Sequence, residues 1–105
     1  MSNIINLPVS LGEALDKLTI LDIKMMKITD SRLDDVKKEY SLLYEKLKDH
    51  IDQYKFYYNT LKQINLSIWE MQDDFRYNNG DKTTLCFKII EDNDRRFRVK
   101  KKLMI

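Results

Sequence analysis

Structure breakers are scarce in this chain of 105 residues: two glycines, Gly12 and Gly80, and one proline, Pro8, so that 67 consecutive residues between the glycines carry neither. Hairpins and Greek keys need a turn signal about every eight to twelve residues, and the only Asn-Gly pair is Asn79-Gly80, so a sheet-rich fold is excluded. Cysteine is equally sparse. Cys86 alone rules out an internal disulfide framework and a cysteine-rich zinc site, and fits a reducing compartment. One histidine, His50, leaves no metal-ligand cluster, no Ser-His-Asp set exists, and no glycine-rich phosphate loop is present. The first nine residues lack the basic start and apolar run of a signal peptide, and no stretch approaches the roughly 18 apolar residues of a membrane span. The expectation is a cytoplasmic protein with no membrane span, no metal and no cofactor.

What is present is an amphipathic balance, 43% hydrophobic and 34% charged, which suits a folded helical protein better than a disordered chain. The length suits a single helical domain, residues 1–105, with a short extended arm over 1–9. Net charge is +2 but polarised. Arg95, Arg96, Arg98, Lys100, Lys101 and Lys102 put +6 into the last eleven residues and leave −4 on the rest.

Ser10 followed by Glu13 has the spacing of a capping box, which starts a first helix near Leu11. Leu11, Ala14, Leu15, Leu18, Leu21, Met25, Met26 and Ile28 fall on its apolar face, with Glu13, Asp16, Lys17, Lys24 and Lys27 away from it. Asp30 and Ser31 offer a second cap. From Leu33 a heptad pattern then runs through Val36, Tyr40, Leu43, Leu47, His50, Tyr54, Tyr57, Leu61, Ile64, Ile68, Met71 and Phe75. One continuous helix over 31–77 would be about 70 Å long, so a tight turn is expected at Asp49–Asp52, with the single long helix as the alternative. Tyr77-Asn78-Asn79-Gly80-Asp81 marks a loop. A last helix starts near Thr83 or Thr84, runs to about Met104 and places Leu85, Cys86, Ile89, Phe97, Leu103 and Met104 inward. The fold class expected is all-α, an antiparallel four-helix up-down bundle or helical hairpins, with helices at about 11–29, 31–49, 52–77 and 83–104.

Three segments, VSLGEALDKLTILDIK at 9–24, INLSIWEMQDDFR at 64–76 and EDNDRRFRVKKKLMI at 91–105, resemble a family of small uncharacterised bacterial and phage-borne proteins. The family pattern is a Gly-Glu…Asp-Lys-Leu-Thr-Ile-Leu start, a central Asn…Leu-Trp…Glu-Asp…Arg helix and an Asn-Asp-Arg-Arg helix near the end. The chain departs from it at Ile68, where the pattern has leucine, and at Gln72-Asp73, where the acidic pair would begin. The resemblance implies a longer, proline-containing connection in relatives at 49–53, which supports the turn, and it supplies no reaction.

Several polar residues fall where packing alone would want apolar ones. Asn93, Arg96 and Lys100 lie within the apolar arc of the last helix; Asn65, Gln72 and Arg76 flank that of the third beside Trp69; Asp22 lies between the leucines and methionines of the first. Unpartnered buried charges cost several kcal/mol, so these groups pair with one another, reach solvent or meet a ligand. Asp22 and Asp73 are the acids available to Arg76 and Arg96. One reading is a polar network that fixes helix register. The other is an inter-helix pocket in which Asp22, Asn65, Trp69, Arg76, Asn93, Arg96 and Lys100 hold a small anionic metabolite, as binder or enzyme. Tyr54, Phe56, Tyr57 and Tyr58 cluster on helices 2 and 3, with Phe56 and Tyr58 expected outside as an association surface. Association as a homodimer is the first functional expectation, with no catalytic residue assigned and enzymatic activity disfavoured. The basic end fits a solvated helix C-terminus better than specific nucleic-acid binding, since no recognition motif accompanies it.

Overall fold

Four helices occupy the described residues, 8–77 and 79–102, of the computed structural model: α1 (Leu11–Lys27), α2 (Arg32–Gln53), α3 (Lys55–Arg76) and α4 (Lys82–Lys102). The all-α class expected from the scarcity of breakers is what forms. Most of the N-terminal arm, and Leu103 and Met104, lie outside the described residues.

Each boundary has a local cause. Ser10, in extended backbone, accepts the Glu13 N–H on its Oγ at 3.1 Å and so satisfies one free amide of the first turn. The other half of the expected capping box is replaced, because the Glu13 carboxylate pairs with Lys100 Nζ at 2.9 Å. α1 stops at Lys27, where Ile28 returns to extended geometry while its N–H still reaches the Lys24 carbonyl. At the start of α2 the capping group is Asp30, since Ser31 makes no side-chain cap. Asp30 Oδ1 accepts the Arg32 N–H at 2.9 Å, and the Arg32 guanidinium holds the carboxylate in a fork. That side-chain hydrogen bond pushes the Asp30 carboxyl below its ordinary value. Gly80 takes φ +86°, a left-handed turn that only a residue without Cβ adopts cheaply, and Asp81 then caps α4 through Thr83 N–H and Thr84 Oγ1.

The break between α2 and α3 is real but sits at Tyr54, not at Asp49–Asp52, and the single helix over 31–77 is excluded. Tyr54 alone leaves helical geometry, at φ −115° and ψ 36°. Its N–H still bonds the His50 carbonyl at 2.8 Å and its carbonyl still accepts Tyr58 N–H at 3.0 Å, so the corner sacrifices little backbone hydrogen bonding. No glycine is needed because aromatic packing holds the corner. Ile51, Tyr54 and Tyr57 press against a core of Leu15, Leu18, Leu47, Tyr58 and Leu61. His50, on the heptad line, faces outward.

α1 and α3 each pack against all three other helices, whereas α2 lies mainly on α1 and α4 mainly on α3. The molecule measures 40 × 37 × 22 Å, a thickness of two helix layers. This placement explains why burial on α1 exceeds its expected face: Gly12, Asp16, Thr19 and Ile23 are buried with Leu15, Leu18 and Leu21, while Met26 is exposed. α4 departs from expectation in the opposite sense. Cys86 and Phe97, placed inward by the sequence, are exposed, Phe97 to 63%, and α4 instead turns Asp92, Asn93, Arg96 and Lys100 toward the other helices.

Candidate ligand cleft between α1, α3 and α4

α1 and α4 meet at one end of the bundle so closely that their backbones touch. A Cβ built on Gly12 would stand 2.5 Å from the Lys100 carbonyl oxygen. Only glycine permits that approach, and it draws the Lys100 side chain across α1, where Nζ lies 2.9 Å from Glu13 and 3.5 Å from Asp16.

From that crossing a chain of polar contacts runs inward. Asp16 and Asn65 are both buried, as is Thr19. Asn65 Nδ2 donates to Asp16 Oδ1 and to Thr19 Oγ1, each at 2.8 Å, while its Oδ1 accepts from Arg96 Nη1 at 3.1 Å. Thr19 Oγ1 in turn donates to the Asp16 carbonyl at 2.7 Å. The asparagine amide thus links the acid on α1 to the arginine on α4 and uses both of its polar atoms. No buried side-chain nitrogen or oxygen among the described residues lacks a partner.

Beyond this chain the helices leave a cavity of about 270 Å³ lined by Ile20 and Ile23 of α1, Asn65, Ile68, Trp69 and Gln72 of α3, and Asn93 and Arg96 of α4. Four of the seven residues singled out from the sequence, Asn65, Trp69, Asn93 and Arg96, line it together. Lys100 joins the same network at its closed end. The other two go elsewhere. Asp22 belongs to a separate cluster, accepting from Tyr58 Oη at 3.2 Å and pairing with Lys62 at 2.8 Å, so it is not a partner of Arg76 or Arg96. Arg76 does not line this cavity and contacts Asp73 at 3.5 Å. The acid that serves this region is Asp16, which the sequence reading assigned to the solvent side.

Arg96 is half-buried, and among the described residues no carboxylate lies within 4 Å of it. A guanidinium carries five N–H donors in a planar fork, and the Asn65 oxygen engages one. Nearby, Asp92 is buried and held by Ser67 Oγ at 2.8 Å and Arg95 at 3.1 Å, while Asn93 Nδ2 donates to the Ile89 carbonyl. The cleft therefore offers an apolar floor, an indole face, a free amide oxygen on Asn93 and one guanidinium. No lining residue of this cavity is a carboxylate, histidine, cysteine or lysine.

The aromatic group on α2 and α3 is only partly a surface. Phe56 is 76% exposed, but Tyr58, expected beside it on the outside, is buried at 8%, and Tyr54 and Tyr57 pack against the core. Burial, then the Asp22 carboxylate, pushes the Tyr58 phenol far above its ordinary value, and burial raises Tyr40 in the same way.

Among the described residues no group of three or more metal-ligating side chains gathers, and no helix is long and apolar enough to cross a membrane. Together the fold and the cleft define an all-α helical bundle with a polar inter-helix network bordering a cavity of ligand size. The chain belongs to the family of unknown function DUF6165, whose family model matches residues 5–105 and so spans all three of the segments that carried the resemblance. No curated protein and no solved structure matches it.

Proposed function

We propose that this chain is a binding protein whose α1/α3/α4 cleft takes a small anion with an apolar body. The observation that carries this reading is Arg96: a half-buried guanidinium facing a cavity of about 270 Å³, with a neutral amide as its hydrogen-bonding partner there. Arg96 suits a carboxylate or phosphate because its parallel N–H groups match two oxygens at once. Ile20, Ile23, Ile68 and Trp69 suit the remainder of such a molecule. The lining groups hold and orient; none is a general base that titrates near neutral pH, which favours binding over catalysis. A cytoplasmic setting accords with the exposed Cys86.

The test is thermal denaturation with acetate, isovalerate and inorganic phosphate over millimolar concentrations. A ligand at one hundred times its Kd stabilises by about 2.7 kcal/mol, a readable shift in Tm. Isovalerate is expected to raise Tm of the native chain more than acetate does, and Arg96→Met to abolish the rise. Equal shifts in both proteins, or none in either, would sink the proposal.

A second reading, self-association as a homodimer, is favoured by a different surface from the one the sequence suggested. Phe87, Ile90 and Phe97 lie along one outward line of α4 and are 68%, 58% and 63% exposed. Glu91 and Arg98 lie seven residues apart on one edge of that line, so an antiparallel second copy brings each near its opposite charge. Asp94 interrupts the apolar line. Sedimentation from micromolar to millimolar concentration is expected to show a weak dimer that Asp94→Leu tightens and Phe97→Glu abolishes; a monomer throughout in all three proteins excludes it.

A further inference from the structure

The cleft does not end at Gln72. That residue also lines a second cavity of about 560 Å³, formed by Phe75 and Arg76 of α3 and Lys82, Cys86 and Ile89 of α4. Sharing Gln72, the two cavities follow one another along the α3–α4 seam, and together they outline a groove. No carboxylate lines either of them, and three cations do: Arg96 at the inner end, Lys82 toward the mouth, and between them Arg76, which is already paired with Asp73. From Lys82 to Arg96 along α4 is about 21 Å. That is too long for a small metabolite and matches about six residues of extended chain.

We propose that this groove receives the C-terminal segment of an acidic peptide, the terminal carboxylate lying on Arg96. This proposal rests on the small-anion reading of Arg96 and gives that site a partner class. Charge complementarity argues for the occupant: a groove with cations and no lining carboxylate favours acidic residues upstream of the terminus. The amides argue for a peptide over an acyl chain. Gln72 lies where the cavities join, and Asn93 keeps its side-chain oxygen after its NH₂ group bonds Ile89. Both can serve a peptide backbone, which carries a donor and an acceptor at each residue, whereas a hydrocarbon has neither. The final side chain would rest on Ile20, Ile23 and Trp69, so an aliphatic last residue fits best. Lys82, already over the Phe75 ring at 5.3 Å, stands at the mouth to meet the upstream acids.

Trp69 is the single tryptophan and lines the inner cavity, so its fluorescence reports occupancy. The probe is the pentapeptide Glu-Asp-Glu-Ala-Leu with a free terminal carboxylate, titrated beside its C-terminal amide and beside isovalerate. The acidic peptide is expected to bind at least ten-fold more tightly than isovalerate, the amide form to lose at least ten-fold, and Arg96→Met to lose binding while retaining the native helical circular dichroism. Lys82→Glu is expected to weaken the peptide several-fold; isovalerate, which does not extend to the mouth, then reads whether the inner cleft is intact. A peptide no tighter than isovalerate overturns the peptide proposal and leaves the small-anion reading standing. Peptide binding that survives both Arg96→Met and terminal amidation overturns the placement. Absence of binding by either ligand removes both readings.

Discussion

Asn65 is the residue on which the inter-helix network turns, because its one amide serves Asp16, Thr19 and Arg96 at once. Asn65→Leu keeps the volume close but withdraws a donor from a buried carboxylate and an acceptor from Arg96. Leaving such groups unpaired costs about 3 kcal/mol. Urea denaturation is expected to show a loss of that order, and a change within about 0.5 kcal/mol would mean that the network is not needed for stability. Gly12→Ala tests the helix crossing. Its new methyl meets the Lys100 backbone oxygen, which cannot rotate away, so a loss of about 1–3 kcal/mol is expected from overpacking. Tyr58 gives a pH signature. Its folded phenol is raised above the ordinary value near 10, so the folded state keeps the proton that the unfolded chain releases. The stability this provides is complete below pH 10 and declines as pH climbs above it, with Tyr40 acting in the same direction. Denaturant titrations from pH 8 to 11 are expected to show that decline, and a shallower one in Tyr58→Phe.

At the scale of the helix, caps and faces decide what can be read ahead of the structure. Ser10→Ala removes the bond to Glu13 N–H and is expected to lower stability by about 1 kcal/mol, measurable by thermal melting. The start of α1 was legible because a cap is a local, sequence-adjacent device. The heptad line from Leu33 to Met71 was legible too, since nearly all of it faces the core. The corner was not placed correctly. Asp49, His50 and Asp52 looked like a weak point by residue type, but the turn depends on tertiary packing of Tyr54 and Tyr57, which carries no local signature. The polar anomalies at Asn65, Asn93, Arg96 and Lys100 stood out because each sits on an otherwise apolar arc, and these four do gather in one region of the bundle. Asp16 escaped notice because α1 was read as a helix with one buried face. A second line was available in Gly12, Asp16 and Thr19, spaced one turn apart, where small and polar side chains mark a close helix approach. Phe97 misled for the converse reason: α4 presents its arginine and asparagine inward and an aromatic outward, an inversion that periodicity does not resolve.

For the molecule as a whole, the central pairing of α1 with α3 makes stability unequal across the chain. Leu18→Ala removes a fully buried side chain from a helix that touches all the others and is expected to cost about 2–5 kcal/mol, with loss of cooperative unfolding followed by circular dichroism. Leu42→Ala, on the outer face of α2, is expected to stay within about 0.5 kcal/mol. The same architecture governs the order in which the protein can be completed. α1 leaves the ribosome first, yet its buried Asp16 finds Asn65 only 49 residues later in the chain, and Lys100 later still. Until α3 has emerged, α1 and α2 form a pair with an unmet acid, and until α4 follows, that acid lacks Lys100 and Asn65 lacks Arg96 on a face meant to be covered. A nascent chain halted before α4 should therefore remain protease-sensitive despite containing its aliphatic core, and the Gly12 crossing becomes the latch by which synthesis of the last helix commits the first to its place.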